Sequence, residues 1–262
     1  MKSGLSYVSP LNLTFHRFLL GSLVLSPLLI FLRKNIPRDK ETLLKLLLLG
    51  IIYAFQIASI NMGLAYEKSG VSAMITYTQP LFVFCLAVPF LREKTETSKI
   101  LGVLIGFCGV AALSVRNLSS FESFSQFGFL LIIGAFLWAL TTVYYKKLLT
   151  HVDPLVSSVM QLVVGTGLLV FLSSTVEGLS FPFVRSYMLA ILYVSIFTTA
   201  TGLILWIFLL REEDATVLSS SSFIIPIVAL FFGWLLLGEC IELRSILGIV
   251  LIITGVYLVN RP

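Results

Sequence analysis

Residues 77–113 read YTQPLFVFCLAVPFLREKTETSKILGVLIGFCGVAAL, and residues 223–259 read FIIPIVALFFGWLLLGECIELRSILGIVLIITGVYLV. Laid over one another without a gap, they place Pro80 on Pro226, Glu93 on Glu239, Gly102 on Gly248 and Gly109 on Gly255, each pair 146 residues apart. In both stretches a proline-bearing apolar run gives way to a charged turn and then to an apolar run with spaced glycines. About 20 apolar residues cross the hydrocarbon core of a bilayer. The repeated stretch therefore holds two membrane-crossing helices, and the chain carries it twice.

The rest of the chain has the same character. Of 262 residues 58% are hydrophobic and 12% are charged, where a soluble domain has about half apolar and a quarter charged residues. Mean hydropathy is +1.02. Too few polar side chains are present to cover a water-facing surface, so lipid is the solvent. The net charge of +5 does not indicate a nucleic-acid surface, because the basic residues sit in short loops without interleaved aromatics. Cys85, Cys108 and Cys240 lack metal-ligand spacing and are expected to be buried structural thiols. No residue pattern calls for a cofactor or a metal.

Breaks at charged and turn residues divide the chain into nine predicted spans: A 11–32, B 43–65, C 71–91, D 100–115, E 127–145, F 155–174, G 188–210, H 216–238 and I 244–260. The longest connection is about a dozen residues, so neighbours run antiparallel in a single membrane domain. Twelve of the 18 Lys and Arg, from Arg33 and Lys34 through Lys146, Lys147 and Arg211 to Arg261, then fall on one side. Lys68, Arg116, Arg185 and Arg244 fall on the other. The positive-inside rule places the first group, with the C-terminus, in the cytoplasm.

Pro10 and Gly21 of span A pair with Pro154 and Gly165 of span F at an offset of 144. Spans A to D thus repeat as F to I, and the intervening span E turns the second copy upside down. Inverted repeats set two half-bundles about a site near the midplane and expose it to alternate sides as one rocks against the other.

With these features the chain resembles the drug/metabolite transporter superfamily, in its EamA-type branch. The resemblance rests on Pro226 to Gly238-Glu239 followed by Gly248 and Gly255, on Pro80 to Arg92-Glu93 followed by Gly102 and Gly109, and on Ser9-Pro10 with His16-Arg17-Phe18. It covers essentially the whole chain and implies two repeats of five helices. Residues 1–115 would form the first, lacking its first helix, and residues 127–262 the second. The family's first helix would fall before Met1, through a shortened reading frame or a true nine-helix form. The resemblance further implies a carrier of small organic metabolites, amino acids or related compounds, by export or exchange across the cytoplasmic membrane.

Candidate pathway residues follow from burial costs and helical spacing. Arg17 is an ionised group well inside a span, suited to be a counter-charge for substrate, unless it snorkels to headgroups. Buried amides need partners, which puts Gln56 and Gln79 against protein or water rather than lipid, together with Tyr53 and Tyr77. Ser195, Thr199, Gly202 and Trp206 share one face of span G, and Gly134, Trp138, Thr142 and Tyr145 one face of span E. Ser219, Ser222 and Pro226 share a face of span H. Hydroxyls with aromatics suit a pathway for a solute with polar and apolar parts, although small and hydroxylated residues also serve helix packing. Tyr145 could alternatively anchor at the interface. Pro80 and Pro226 are candidate paired hinges. Glu93 and Glu239 are expected to cap the helices that follow them. The Asn12 and Asn117 sequons are expected to carry no sugar.

None of the thirteen carboxylates lies mid-span, which disfavours coupling through a membrane-embedded acid. Expected partners are a small-molecule solute, the bilayer and, for an oligomer, a second copy in a homodimer. Three rivals remain: a non-transporting scaffold, a carrier of nucleobase or sugar-phosphate solutes, and a lipid enzyme. The enzyme lacks a catalytic cluster, since His16 and His151 are the only histidines and fall on opposite sides. Cysteine labelling should find the loops after Leu32 and after Tyr145 on one side of the membrane; opposite sides would overturn the inverted reading.

Overall fold

Lipid offers no hydrogen bonds to a backbone, so each crossing segment closes its own ladder as a helix. The computed structural model describes residues 6–32, 36–114, 127–237 and 243–261, and these contain helices and connecting turns. The Asn117 sequon, Glu239 and Cys240 lie outside the described residues. The helices are α1 Pro10–Phe31, α2 Lys40–Tyr66, α3 Ser69–Thr76, α4 Gln79–Leu91, α5 Thr97–Ser114, α6 Gly128–Leu148 and α7 Pro154–Val176. They continue as α8 Arg185–Tyr193, α9 Gly202–Glu212, α10 Ala215–Ser221, α11 Ile225–Leu237 and α12 Leu243–Asn260. A wide π-helical segment, Val194–Thr201, joins α8 to α9, and a 3₁₀ turn, Ser222–Ile224, joins α10 to α11.

Eight helical stretches are long and apolar enough to cross a membrane, and each matches one of spans A to H. The ninth, Ser245–Asn260, is the shorter apolar one. At 1.5 Å per residue, the 18 residues of α12 reach about 27 Å, just under the hydrocarbon thickness. The protein is an all-helical, multi-pass integral membrane protein. Its outward faces bear large apolar side chains such as Ile30, Phe31, Leu236 and Tyr257. Cys85 and Cys108 are exposed among them, contrary to the expectation of buried thiols: an apolar run facing lipid need not bury its small polarisable members.

The chain divides into two compact units, and each draws helices from both sequence copies. The first holds α1, α2, α7, α8, the π segment and α9; the second holds α3, α4, α5, most of α6, α10, α11 and α12.

In the first unit α1 packs on α7 through repeat mates. A Cβ on Gly21 would meet Leu162 at 3.2 Å, and a Cβ on Gly165 would meet Phe18 at 2.6 Å. Gly165 stands 144 residues after Gly21, and Leu162 stands 144 after Phe18. Each contact is thus the other's symmetry mate, the self-complementary pattern of a twofold interface. Numbers fall along α7 as they rise along α1, so the copies run in opposite directions.

The second unit repeats the arrangement with α5 and α12. A Cβ on Gly102 would lie 2.7 Å from the Gly255 carbonyl, and one on Gly109 2.7 Å from the Gly248 carbonyl. Gly248 and Gly255 are the mates of Gly102 and Gly109 at the 146 offset. Backbones touch here because no side chain intervenes, the usual means of joining helices in lipid. A Cβ on Gly106 would lie 2.7 Å from the Phe223 ring, which with Val103, Val110, Ile252 and Val259 forms the apolar core of this unit.

Both proline-bearing spans are interrupted at matching places. Span C breaks between Thr76 and Gln79, just before Pro80, and span H passes through the 3₁₀ turn just before Pro226. Proline lacks an N–H and crowds the preceding turn, and hydroxyls at each break donate to carbonyls one turn back. Thr78 Oγ1 donates to the Ile75 carbonyl at 2.6 Å, Ser221 Oγ to Leu218 at 2.6 Å, and Ser222 Oγ to Ser219.

Long-range carboxylates cap two helices. Glu177 accepts from the amides of Leu11 and Asn12, at 3.1 Å each, and from the Ser9 hydroxyl at the start of α1. Glu93 accepts from Ala215 N at 2.7 Å and Thr216 N at 3.3 Å at the start of α10, where Lys99 also pairs with Asp214 at 3.2 Å. The helix capped by Glu93 is therefore not the following one, α5, but one 122 residues on. Asn12 is 1% exposed with its side chain bonded to Gly178 O and Ser180 N, which leaves no room for a glycan.

Gly255→Leu should lower the melting midpoint by roughly 5–10 °C, since overpacking of this kind costs about 2–3 kcal/mol. Gly167→Ala, with nothing within 4 Å of its Cβ, should leave the midpoint unchanged. Glu93→Ala should cost about 1 kcal/mol through the lost cap, with Glu93→Gln costing less, both read by thermal melting of the purified protein.

Candidate functional site

A buried guanidinium in lipid requires acceptors, and those of the first unit come from the wide turn after α8. Arg17 is 6% exposed, so the snorkelling alternative is set aside. Its Nε donates to Thr199 Oγ1 at 3.1 Å. Thr199 is held in turn by donating to the Val194 carbonyl at 3.2 Å, a reach of five residues that the π segment makes possible. Phe18, beside Arg17, stacks on Tyr53 with ring centroids 5.2 Å apart, and Tyr53 interacts electrostatically with the guanidinium. Arg17, Tyr53 and Thr199 thus form one constellation.

The twofold relation breaks where this charge lies. Arg17 has Gln161 as its repeat mate, and Thr199 beside Gly21 stands where Ala54 stands beside Gly165. A charged group bonded to a threonine on one side is matched by an uncharged amide and an alanine on the other.

Nearer the start of α1, His16 is 1% exposed and its Nδ1 lies 2.6 Å from the Tyr187 hydroxyl. Phe181 packs on the imidazole edge with centroids 4.3 Å apart. Asn61 Nδ2 donates to Thr14 Oγ1 at 2.7 Å, joining α2 to α1. Gln56 is buried at 3% exposure, as its amide requires.

The π segment changes the expected face of span G. Ser195 and Thr199 are buried at 0% and 1% exposure, but the buried stripe then continues through Leu203, Ile207 and Leu210, with Gly202 and half-buried Trp206 at its edge. A wider turn shifts every later side chain around the axis. On span H, Ser219 and Ser222 are buried, but the 3₁₀ turn separates them from half-buried Pro226 and breaks the expected common face.

In the second unit Gln79 is fully buried, and Tyr77 packs against the Val103–Phe223–Ile252 core. On α6, Gly134 and Thr142 are buried and Trp138 is half-buried, as one face requires. Tyr145, at the α6 end, is fully buried, so it is not an interfacial anchor. Thr142 donates to the Trp138 carbonyl at 2.9 Å and Ser219 to the Ala215 carbonyl at 2.7 Å. These two hydroxyls serve their own helices. Among the described residues no group of three or more His, Cys, Asp or Glu converges as metal ligands would.

Sequence reading passes over Glu177, the His16–Tyr187 pair and the Arg17–Thr199 bond. Glu177 follows span F by a few residues and carries no local capping signature, and residues 171 to 182 positions apart meet only through the packing of α1 with α7, α8 and the π segment.

Relatives agree with this architecture. An uncharacterized transporter of Bacillus subtilis (strain 168), YoaV, is 26% identical over 98% of this chain and 89% of its own length. Another from the same organism, YvbV, is 30% identical over 99% and 85%. A probable amino-acid metabolite efflux pump of Escherichia coli (strain K12) is 27% identical over 98% and 88%. A solved crystal structure shares the fold with a TM-score of 0.83 over 98% of this chain and 90% of its own, at 16% identity. Residues 1–115 and 127–261 match the EamA-like transporter family, and with both sequence copies covered the chain belongs to that family.

Proposed function

We propose that the protein carries small organic metabolites, amino acids or related compounds, across the cytoplasmic membrane by alternating access, exporting or exchanging them with its C-terminus in the cytoplasm. Two repeats of the family type, residues 1–115 and 127–262, supply the inverted halves. The observation that carries the reading is the reciprocal, antiparallel packing of repeat mates in both units, at Gly21–Leu162 with Phe18–Gly165 and at Gly102–Gly255 with Gly109–Gly248. A fold built from two opposed copies has two related conformations of similar energy, inward and outward, and a solute that binds both can be moved between them.

Arg17 supplies a fixed positive charge for a carboxylate. Tyr53, Gln56, Trp138 and Trp206 line the route for apolar and amide groups, Ser195 and Thr199 add hydroxyls, and Pro80 and Pro226 act as the paired hinges. Tyr77, Gln79, Thr142, Ser219 and Ser222 complete the route. The Escherichia coli relative's name, a probable amino-acid metabolite efflux pump, supports amino-acid metabolites as the first solutes to test.

Purified protein in liposomes preloaded with unlabelled amino acids should take up the labelled solute faster than empty vesicles. Arg17→Leu should lower that counterflow at least about tenfold, or ~1.4 kcal/mol, and Arg17→Lys should lower it less. Trp138→Ala and Gln56→Ala should lower it with expression retained. Counterflow absent for every solute tested would favour a scaffold over a carrier.

A further inference from the structure

Ser72, Thr76 and Gln79 stand four and three residues apart across the break in span C. The two residues at the break keep near-helical backbone, Tyr77 at φ −80° and ψ 12° and Thr78 at φ −72° and ψ −12°. One helical face is thereby carried through from α3 to the start of α4. Ser72 and Gln79 are each 0% exposed. The Ser72 and Thr76 hydroxyls and both polar atoms of the Gln79 amide are buried without a hydrogen-bond partner among the described protein groups.

Among the described residues of the unit the Thr216 hydroxyl is also buried without a partner, while several others are paired. Thr78, Thr142, Ser219, Ser220, Ser221 and Ser222 all donate to carbonyls of their own helices, the ordinary resting place of a hydroxyl in a membrane helix. Ser72 and Thr76 have the same option within their own helix and do not take it. Nor does the strip belong to the apolar core of its unit. Tyr77 and Leu81 make that contact, and at about 100° per residue Gln79 lies roughly 200° around the helix from either. Polar atoms both out of solvent and out of the core are held for a partner that is not always there.

The chemistry of that partner follows from the groups on offer. Two hydroxyls and a carboxamide each donate and accept, and none is charged. The start of α4 adds no anion site. Pro80 has no N–H, and the amides of Leu81 and Phe82 already bond to Thr78 O at 3.0 and 3.2 Å. We propose that Ser72, Thr76 and Gln79 form a recognition strip for an uncharged hydrogen-bonding group of the carried solute, a carboxamide or hydroxyl rather than a carboxylate or phosphate. The proposal rests on the carrier reading and deepens it. A strip of this kind rejects an apolar solute of equal size, because its own polar atoms would stay unpaired.

Asparagine, aspartate and leucine make a matched set of probes, being alike in size and different in the group presented. Asparagine should raise the melting midpoint of the purified wild-type protein and bind Gln79→Leu at least about tenfold more weakly, with aspartate and leucine protecting little in either. Equal protection by aspartate, no protection by asparagine, or equal protection of wild type and variant would each overturn the proposal. A second arm needs no solute: Gln79→Leu combined with Ser72→Ala should melt at or above wild type, since unpaired polar atoms are removed. A clear fall would mean that these atoms are structurally paired, and would overturn it too. Counterflow of other solutes that continues with unchanged selectivity in Gln79→Leu defeats the strip and leaves the carrier standing; counterflow absent for all solutes defeats the carrier reading itself.

Discussion

Two helices in lipid gain nothing from hydrophobic exclusion, so they hold together by contact alone, and contact is closest where both lack a Cβ. Gly102, Gly109, Gly248 and Gly255 satisfy that condition on α5 and α12, where a Cβ on any of them would lie within 3.0 Å of a carbonyl of the other helix. The proline breaks of spans C and H and the Glu93 cap belong to the same unit as this contact. Were α5 and α12 moved apart by a methyl group, Phe223 would no longer fit over Gly106, and the core joining span H to α5 would open.

Much of this was legible in the residues because the period of a membrane helix and the offset of a repeat are both local arithmetic. The nine spans agree with the helices to within a few residues, and the 144 and 146 offsets reappear as physical contacts between mates. The antiparallel sense of the copies was readable from the odd helix between them. Less legible was anything decided by a turn of non-standard width. Nothing in Val194–Thr201 announces a π segment, so the face drawn through Ser195, Thr199, Gly202 and Trp206 holds for its first two members and slips for the rest. Partner choice was equally hidden. Glu93 was readable as a cap, but its helix starts at Ala215 because tertiary packing, not sequence order, brings amide and carboxylate together.

The polar residues divide into two kinds. Serines and threonines that return their hydroxyl to their own helix make the segment cheaper to keep in lipid. Those that reach another element, such as Thr199 with Arg17 and Thr14 with Asn61, set geometry between helices. The departure from twofold likeness at Arg17 and Gln161 belongs with the second kind. Matched glycines keep the copies interchangeable as scaffold, while unmatched polar groups let one copy differ in chemistry.

The Glu177 cap also bears on how the chain is made. The amides at Leu11 and Asn12 leave the ribosome some 165 residues before the carboxylate that satisfies them. At ~5–20 residues per second of synthesis, α1 waits on the order of ten to thirty seconds for the carboxylate that caps it. Neither compact unit can close before the second copy is translated, since each borrows helices from both. Insertion and assembly are thus separate events for this chain, and the early segments must be sheltered in the bilayer until their partners emerge.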